Sequence, residues 1–255
     1  MYIYKKLIFI FTLIFIHTSP LFAEPLEVII YLTRSASDIQ HKTYTFDFIT
    51  SPDTHKDLDI NIVQNGSIGQ MSSTFVRGTN ADHTLFTLNG MSIKDHSTPN
   101  GVDDISQHSM LGVNSIEIVK GPMSTVYGPN AVGAVVNMSS YATEDNGLNF
   151  SFGSNGYNKQ TLKVADYIGT NLIDFSASRT STNGISVYKD GSEKDGFDTN
   201  NYSFKTSSKI GEWFINSSIN STTNNSDLDN SGSDALKYTS EWKFNNQYID
   251  AQRNK

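Results

Sequence analysis

From about residue 144 onward, apolar and polar residues take turns one for one. Leu148, Phe150 and Phe152 alternate with Asn149 and Ser151, and Leu162 and Val164 with Thr161 and Lys163. Ile173, Phe175 and Ala177 alternate with Asp174, Ser176 and Ser178, and Tyr202 and Phe204 flank Ser203 next to Lys205. Trp213 and Ile215 repeat the rhythm, as do Tyr238, Trp242 and Phe244 against Lys237, Glu241 and Lys243. Successive side chains of a strand point to opposite faces, so a period of two predicts strands with one apolar and one polar face. Turn-forming Gly, Asn, Asp and Ser lie between the runs, which predicts a series of about six or seven antiparallel strands. Two environments produce this pattern. In a soluble sandwich the apolar face is the core, and in an outer-membrane barrel it meets lipid.

The first half of the chain reads differently. Tyr44, Phe46 and Phe48, then Leu58, Ile60 and Ile62, alternate weakly around Ser51-Pro52-Asp53 and predict two short strands. Leu85–Leu88 predicts a strand that ends in Asn89-Gly90, a hairpin turn whose residues tolerate positive φ. Ile116–Val119 and Ala134–Met138 predict two more strands, and Gly121-Pro122 and Tyr127-Gly128-Pro129 predict turns. Short strands and sharp turns in this density describe a compact domain ahead of the alternating region.

At the N-terminus, Lys5 and Lys6 precede an apolar run from Leu7 to Ile16, and Ala23 offers a cleavage site, so residues 1–23 are expected to be a signal peptide. That run is short for a spanning helix, and no other stretch approaches the length of about 20 apolar residues. A membrane crossing would therefore use strands. The 255 residues carry a formal charge of −7, which excludes nonspecific attraction to nucleic acid, and contain no cysteine, which excludes disulfide scaffolds and thiolate metal sites.

Several ordered islands between Gln64 and Ser140 carry a resemblance. They are Gln64-Asn65-Gly66 with Gly69-Gln70-Met71-Ser72-Ser73, then Phe75-Val76-Arg77-Gly78-Thr79-Asn80, then Leu85 to Gly90. Ile116-Glu117-Ile118-Val119-Lys120-Gly121-Pro122, Val126-Tyr127-Gly128 and Gly133-Ala134-Val135-Val136-Asn137 complete the set. In order and spacing they resemble the plug domain of TonB-dependent outer-membrane receptors, most closely the vitamin B12 receptors. The resemblance implies an α+β plug domain, a small mixed β-sheet with loops and short helices, at 24–143. After it, 144–255 would supply the antiparallel β-strands of an incomplete outer-membrane β-barrel. The barrel of such receptors has about twenty-two strands, and the alternating region accounts for about a third of them.

What the resemblance implies about sites follows residue by residue. Leu26, Glu27, Val28, Ile29 and Ile30 stand where the family carries its Ton box, a segment that adds a strand to an edge of TonB. The apical plug loops would meet the ligand through Asn65, Ser67, Gln70, Ser72 and Ser73, and through Asp95, Asn100 and Asp103. Arg77, Glu117 and Lys120 are charges set within apolar strand runs, and in the family the arginines of these motifs face carboxylates of the barrel wall. Lys120 replaces the usual arginine and loses its bidentate fork. Asp57 to Val63 replaces the family's helix and Leu-Pro-Gly-Val turn. Two acidic turns, with Asp190, Glu193, Asp195 and Asp198 in one and Asp227, Asp229 and Asp234 in the other, are the counterparts of loops that bind Ca²⁺ in vitamin B12 receptors. The implied partners are TonB, a metal chelate such as cobalamin or a siderophore, and outer-membrane lipid.

Other signals carry less. Gly66-Ser67-Ile68-Gly69 has the form of an RNA-binding GxxG loop but no basic patch, and Gly128 to Gly133 lacks the Gly-Lys-Ser/Thr of a phosphate loop. His83, His96 and His108 lie near Asp82, Asp95, Asp103 and Asp104, a set that could meet a metal, but scattered loop His and Asp are more often solvated. No Ser-His-Asp order or paired carboxylate has a context for catalysis, and no enzyme is expected. The reading is an importer of a scarce metal chelate, cobalamin first. A siderophore or haem receptor, or a binding module of the periplasm or cell surface that does not transport, are the alternatives.

Overall fold

The computed structural model describes residues 40–45, 60–95, 97–98, 100–186, 194–230 and 233–253. Residues 1–23, expected to be a signal peptide, and 26–30, expected to be a Ton box, lie outside the described residues.

The first domain is built on a mixed sheet. Its strands are, in spatial order, β1 (Gln40–Thr45), β6 (Ser115–Lys120), β7 (Ala134–Ser139), β4 (Thr84–Leu88) and β5 (Met91–Ser92). β4 runs parallel to β7, and the other pairs are antiparallel. A separate hairpin joins β2 (Asn61–Gln64) to β3 (Ser72–Phe75). Every residue of β4 is buried, because both of its faces are covered. Phe86 and Leu88 pack with Ile93, Ile105, Ile116, Ile118, Val136 and Met138, while Leu85 packs with Ala131 and Val135 on the opposite face. The Asn89-Gly90 turn has φ of 52° and 79°, the two positive values a type I′ hairpin needs. Among the described residues, helix is confined to single turns at Ala81–His83, Ile105–Gln107 and Ser124–Tyr127, the last closed by Gly128 at φ 94°.

Seven residues after β7, a six-stranded antiparallel sheet begins. It runs in chain order through β8 (Gly147–Phe152), β9 (Asn158–Ile168), β10 (Asn171–Thr182), β11 (Phe197–Ile210), β12 (Trp213–Asn230) and β13 (Ser233–Arg253). At one end the hairpins are tight, with Gly169 and Gly211 at positive φ as the first residue of two-residue turns. At the other end the strands are joined through 153–157, through 183–196, of which 187–193 lie outside the described residues, and between β12 and β13 through 231–232. Short turns at one rim and long loops at the other are the habit of outer-membrane barrels.

Burial along these strands decides between the two environments that the alternation left open. The polar face is the buried one: Thr161, Lys163, Asp174, Ser176, Ser178, Thr199, Asn201, Ser203, Lys205, Ser218, Thr222 and Asn224 are covered. Leu162, Val164, Phe175, Tyr202, Phe204 and Ile219 are exposed. Register sets Val164, Phe175, Phe204 and Ile219 opposite one another as a continuous outer row across four strands. A soluble sandwich would have buried that row, whereas a wall whose outer face meets lipid leaves it out. The apolar band also drifts. It centres on Phe150 of β8, opposite Gln160, and has moved toward the tight-turn rim by β12, where Trp213, Ile215 and Ile219 carry it. Such drift is the stagger of strands tilted in a barrel wall.

One expectation is corrected here. Trp242 and Phe244 do not continue the apolar outer face. They pair with Asn224 and Thr222 and so point inward, while Glu241 and Lys243 face out. The cause is the drift: at the level of Trp242, β13 lies beyond the apolar band, which meets this strand near Ile249.

Candidate functional site at the plug and wall interface

The first domain sits against the polar face of the wall, and the two predicted ligand loops come together at its long-loop end. Gln107 donates to the Gly69 carbonyl at 3.1 Å, and Ser106 donates to the Gln70 carbonyl at 3.0 Å. Asp104 gathers the Ser72 amide at 2.9 Å, the Ser72 hydroxyl at 2.6 Å and the Ser106 hydroxyl at 2.7 Å. The wall then takes hold of both loops. Gln70 donates to the Asp227 carbonyl at 2.8 Å, Ser226 to the Gly69 carbonyl at 3.1 Å, and Asn224 to the Gln107 carbonyl at 2.7 Å. Gly69, at φ 90°, lies so close to the Phe197 ring that no Cβ fits between them.

The predicted ligand residues divide accordingly. Asn65 and Asn100 are exposed, and Ser67, Ser73 and Asp95 are half-buried, with Asp95 accepting from the Ser97 amide at 2.7 Å. Gln70, Ser72 and Asp103 are buried and bonded within the protein. Asp103 holds the His108 Nε2 at 2.7 Å, and the His108 ring meets Trp242 and Phe244 edge-on at 4.9 and 5.3 Å between centroids. An aromatic clamp from β13 thus closes on the second loop.

A second contact, unmarked in the sequence reading, lies toward the tight-turn rim. Asp174 of β10 is fully buried and stands directly opposite Lys205 of β11, whose ammonium is 3.1 Å from its Oδ2. Lys163 of β9 approaches the same oxygen at 3.6 Å, Ser176 donates to Oδ1 at 3.3 Å, and the Thr143 amide donates to Oδ2 at 3.1 Å. Lys163 also reaches Asp145 at 3.1 Å and the Thr143 hydroxyl, and Lys205 donates to the Gly112 carbonyl at 3.1 Å. Burial would raise the pKa of Asp145, but hydrogen bonds from Thr143 and Lys163 and the charges of Lys163 and Lys205 outweigh it and hold the carboxyl below its usual range. Charge on the polar face of three consecutive strands was the available signal.

The charges singled out within the first domain are placed as follows. Arg77 is exposed in a left-handed turn at φ 52°, Glu117 is half-buried and accepts from Asn137 at 3.5 Å, and Lys120 is buried. Of the acidic residues considered for Ca²⁺, Asp198 faces outward and is held by Arg179 at 2.9 Å. Asp195 is buried, and Asp227 is half-buried beside Gly196, whose carbonyl accepts from the Asp227 amide at 2.8 Å. Asp190 and the side chain of Asp229 lie outside the described residues. Among the described residues no three His, Cys, Asp or Glu are grouped as metal ligands.

The architecture is thus a mixed sheet docked on the polar face of an apolar-outward antiparallel wall. Residues 55–135 match the family model of the TonB-dependent Receptor Plug Domain. Solved structures share the fold at low identity. FpvA of P. aeruginosa, bound to heterologous pyoverdines, is 14% identical with a TM-score of 0.59 over 77% of this chain and 28% of that one. The ferric-catecholate import receptor Fiu from E. coli K12 is 16% identical, with a TM-score of 0.53 over 74% of this chain and 28% of its own. The copper transporter OprC is 17% identical, with a TM-score of 0.52 over 66% and 26%. The chain therefore spans little more than a quarter of the length of these receptors.

Proposed function

We propose that this chain is the plug and first wall strands of an outer-membrane receptor that imports a scarce metal chelate, driven by TonB. The observation that carries the reading is the inverted wall: a polar face buried on the plug and the exposed row Val164, Phe175, Phe204 and Ile219 facing away from it. Such a wall belongs in an outer membrane of Gram-negative type, with Asn65, Asn100 and their neighbours at the outer rim to meet the ligand. Leu26 to Ile30 would lend its backbone to TonB, and pulling there would rearrange the plug.

Two cargoes are supported by different observations. The likeness of Asn65 to Ser73 to the apical loop of vitamin B12 receptors supports cobalamin. The names of the solved receptors, for pyoverdine, ferric catecholate and copper, support a siderophore or copper cargo. Binding of cyanocobalamin, a ferric catecholate and ferric pyoverdine to cells carrying the receptor that contains this chain separates them. Uptake should need both TonB and residues 26–30. Uptake that persists unchanged after deletion of Leu26 to Ile30 would refute the TonB-driven mechanism, and failure to bind any of the three chelates would refute the cargo class.

A further inference from the structure

The buried cluster of Lys163, Asp174 and Lys205, with the exposed Asp145 at its edge, has two attachments to the plug side, and they are chemically unequal. One is the plug loop at Gly112, which offers Lys205 a single neutral carbonyl at 3.1 Å. Its approach needs a glycine: φ is 77°, and a Cβ there would lie 2.7 Å from the Ser203 hydroxyl. The other is the connector between β7 and β8. It brings the carboxylate of Asp145 to Lys163 at 3.1 Å and the Thr143 amide to Asp174 at 3.1 Å. Asn146 and Ala165 exchange a reciprocal pair of bonds, Nδ2 to carbonyl at 3.1 Å and amide to Oδ1 at 2.7 Å. Tyr167 adds a bond to Glu144 at 2.5 Å.

We propose that this cluster is a graded latch in which the connector, residues 143–146, is the pivot that stays fastened to the wall while the plug loop at Gly112 is the end that lets go. The argument is charge balance. Two lysines and two aspartates cancel. Withdrawing Gly112 costs Lys205 one neutral acceptor, which water replaces, and leaves its bond to Asp174 intact. Withdrawing the connector removes Asp145 and leaves two buried ammonium groups sharing one carboxylate, which a poorly solvated site resists strongly. A force on the plug therefore opens the Gly112 contact first and turns the plug about the connector. The consequence for import rests on the plug being the moving part, but the order of release is a property of the chain itself and holds for any cargo.

Amide hydrogen exchange of the whole chain in detergent micelles, at rising urea and without ligand, tests it. The amides of Thr143 and Ala165 should keep their protection at urea concentrations where those of Val113 and Asn114 have lost it. Asp145→Asn should lower protection at Thr143 and Ala165 by roughly tenfold or more, the scale of one charge-assisted bond. Adding Lys163→Gln restores neutrality and should recover protection, although it removes a further hydrogen bond. Two outcomes overturn the proposal: Thr143 and Ala165 exchanging together with or before Val113 and Asn114 in the unaltered chain, or the double variant being less protected than Asp145→Asn alone. Neither depends on which chelate is bound, so a failed cargo assignment leaves this result standing.

Discussion

Replacing Phe204 by Arg puts the membrane reading at risk at a single position. Phe204 is 41% exposed, stands between Phe175 and Ile219 on the outer row, and has no polar neighbour opposite it on either strand. In water, exchanging an exposed Phe for Arg changes stability by about 0.5 kcal/mol or less. At the midplane of a bilayer the same exchange costs about 2–4 kcal/mol, to which the lost aromatic pair with Phe175 adds a further ~0.2–1 kcal/mol. Asn200 supplies the control. It lies on the same face of β11, opposite Arg179 and Thr223, about 13 Å along the strand toward the long-loop rim. There an added Arg should cost only about 0–1 kcal/mol. Urea unfolding from phospholipid vesicles, followed by the fluorescence of Trp213 and Trp242, reads both. A Phe204→Arg chain within about 0.5 kcal/mol of the parent, or an Asn200→Arg chain destabilised as much as Phe204→Arg, would show that this row does not lie in lipid.

Three further perturbations address the plug contacts. Asp174→Ala leaves Lys163 and Lys205 buried without their shared carboxylate, and the same unfolding assay should show a loss of about 3–5 kcal/mol. Asp145 has its pKa lowered in the fold, so its contribution is complete above the ordinary carboxylate value of about 3.9 and is lost as pH falls through the lowered value. Protection of the Thr143 amide should therefore hold steady from neutral pH to about 5 and decline only below about 4, while Asp145→Asn shows no such step. Gly69→Ala combines a positive φ with a collision against Phe197, whereas Gly78→Ala meets nothing within 4 Å. The first should cost about 2–5 kcal/mol in urea unfolding and the second only the ~1–2 kcal/mol of a strained backbone, and equal losses would refute the close approach of plug and wall at Gly69.

What the sequence disclosed and what it withheld follow from the range of the interactions involved. Asn89-Gly90 was legible as a hairpin turn because its chemistry is local, and Ile116, Ile118 and Val136 were legible as strand residues for the same reason. The period-two pattern located β8 to β11 but was silent on which face would be buried, since burial depends on the plug that covers it. Most of β12 had no pattern to read: from Asn216 to Asp227 only Ile219 is apolar, and the segment is a strand because β11 and β13 pair with it. The buried cluster was hidden for a sharper reason. The two-residue turn at Gly169 fixes the register of β9 on β10 and sets Lys163 opposite Ser176, one diagonal step from Asp174. The register of β10 on β11 is set across the long loop 183–196, whose geometry no local rule supplies. Shifting it by one residue would turn Lys205 to the outer face and leave Asp174 without its directly opposed lysine. Lys163, Asp174 and Lys205 were therefore visible as polar positions but not as a site. The same holds for Gln70, Ser72 and Asp103, which are polar residues of apical loops whose inward orientation is decided by a loop more than thirty residues away or by the wall itself.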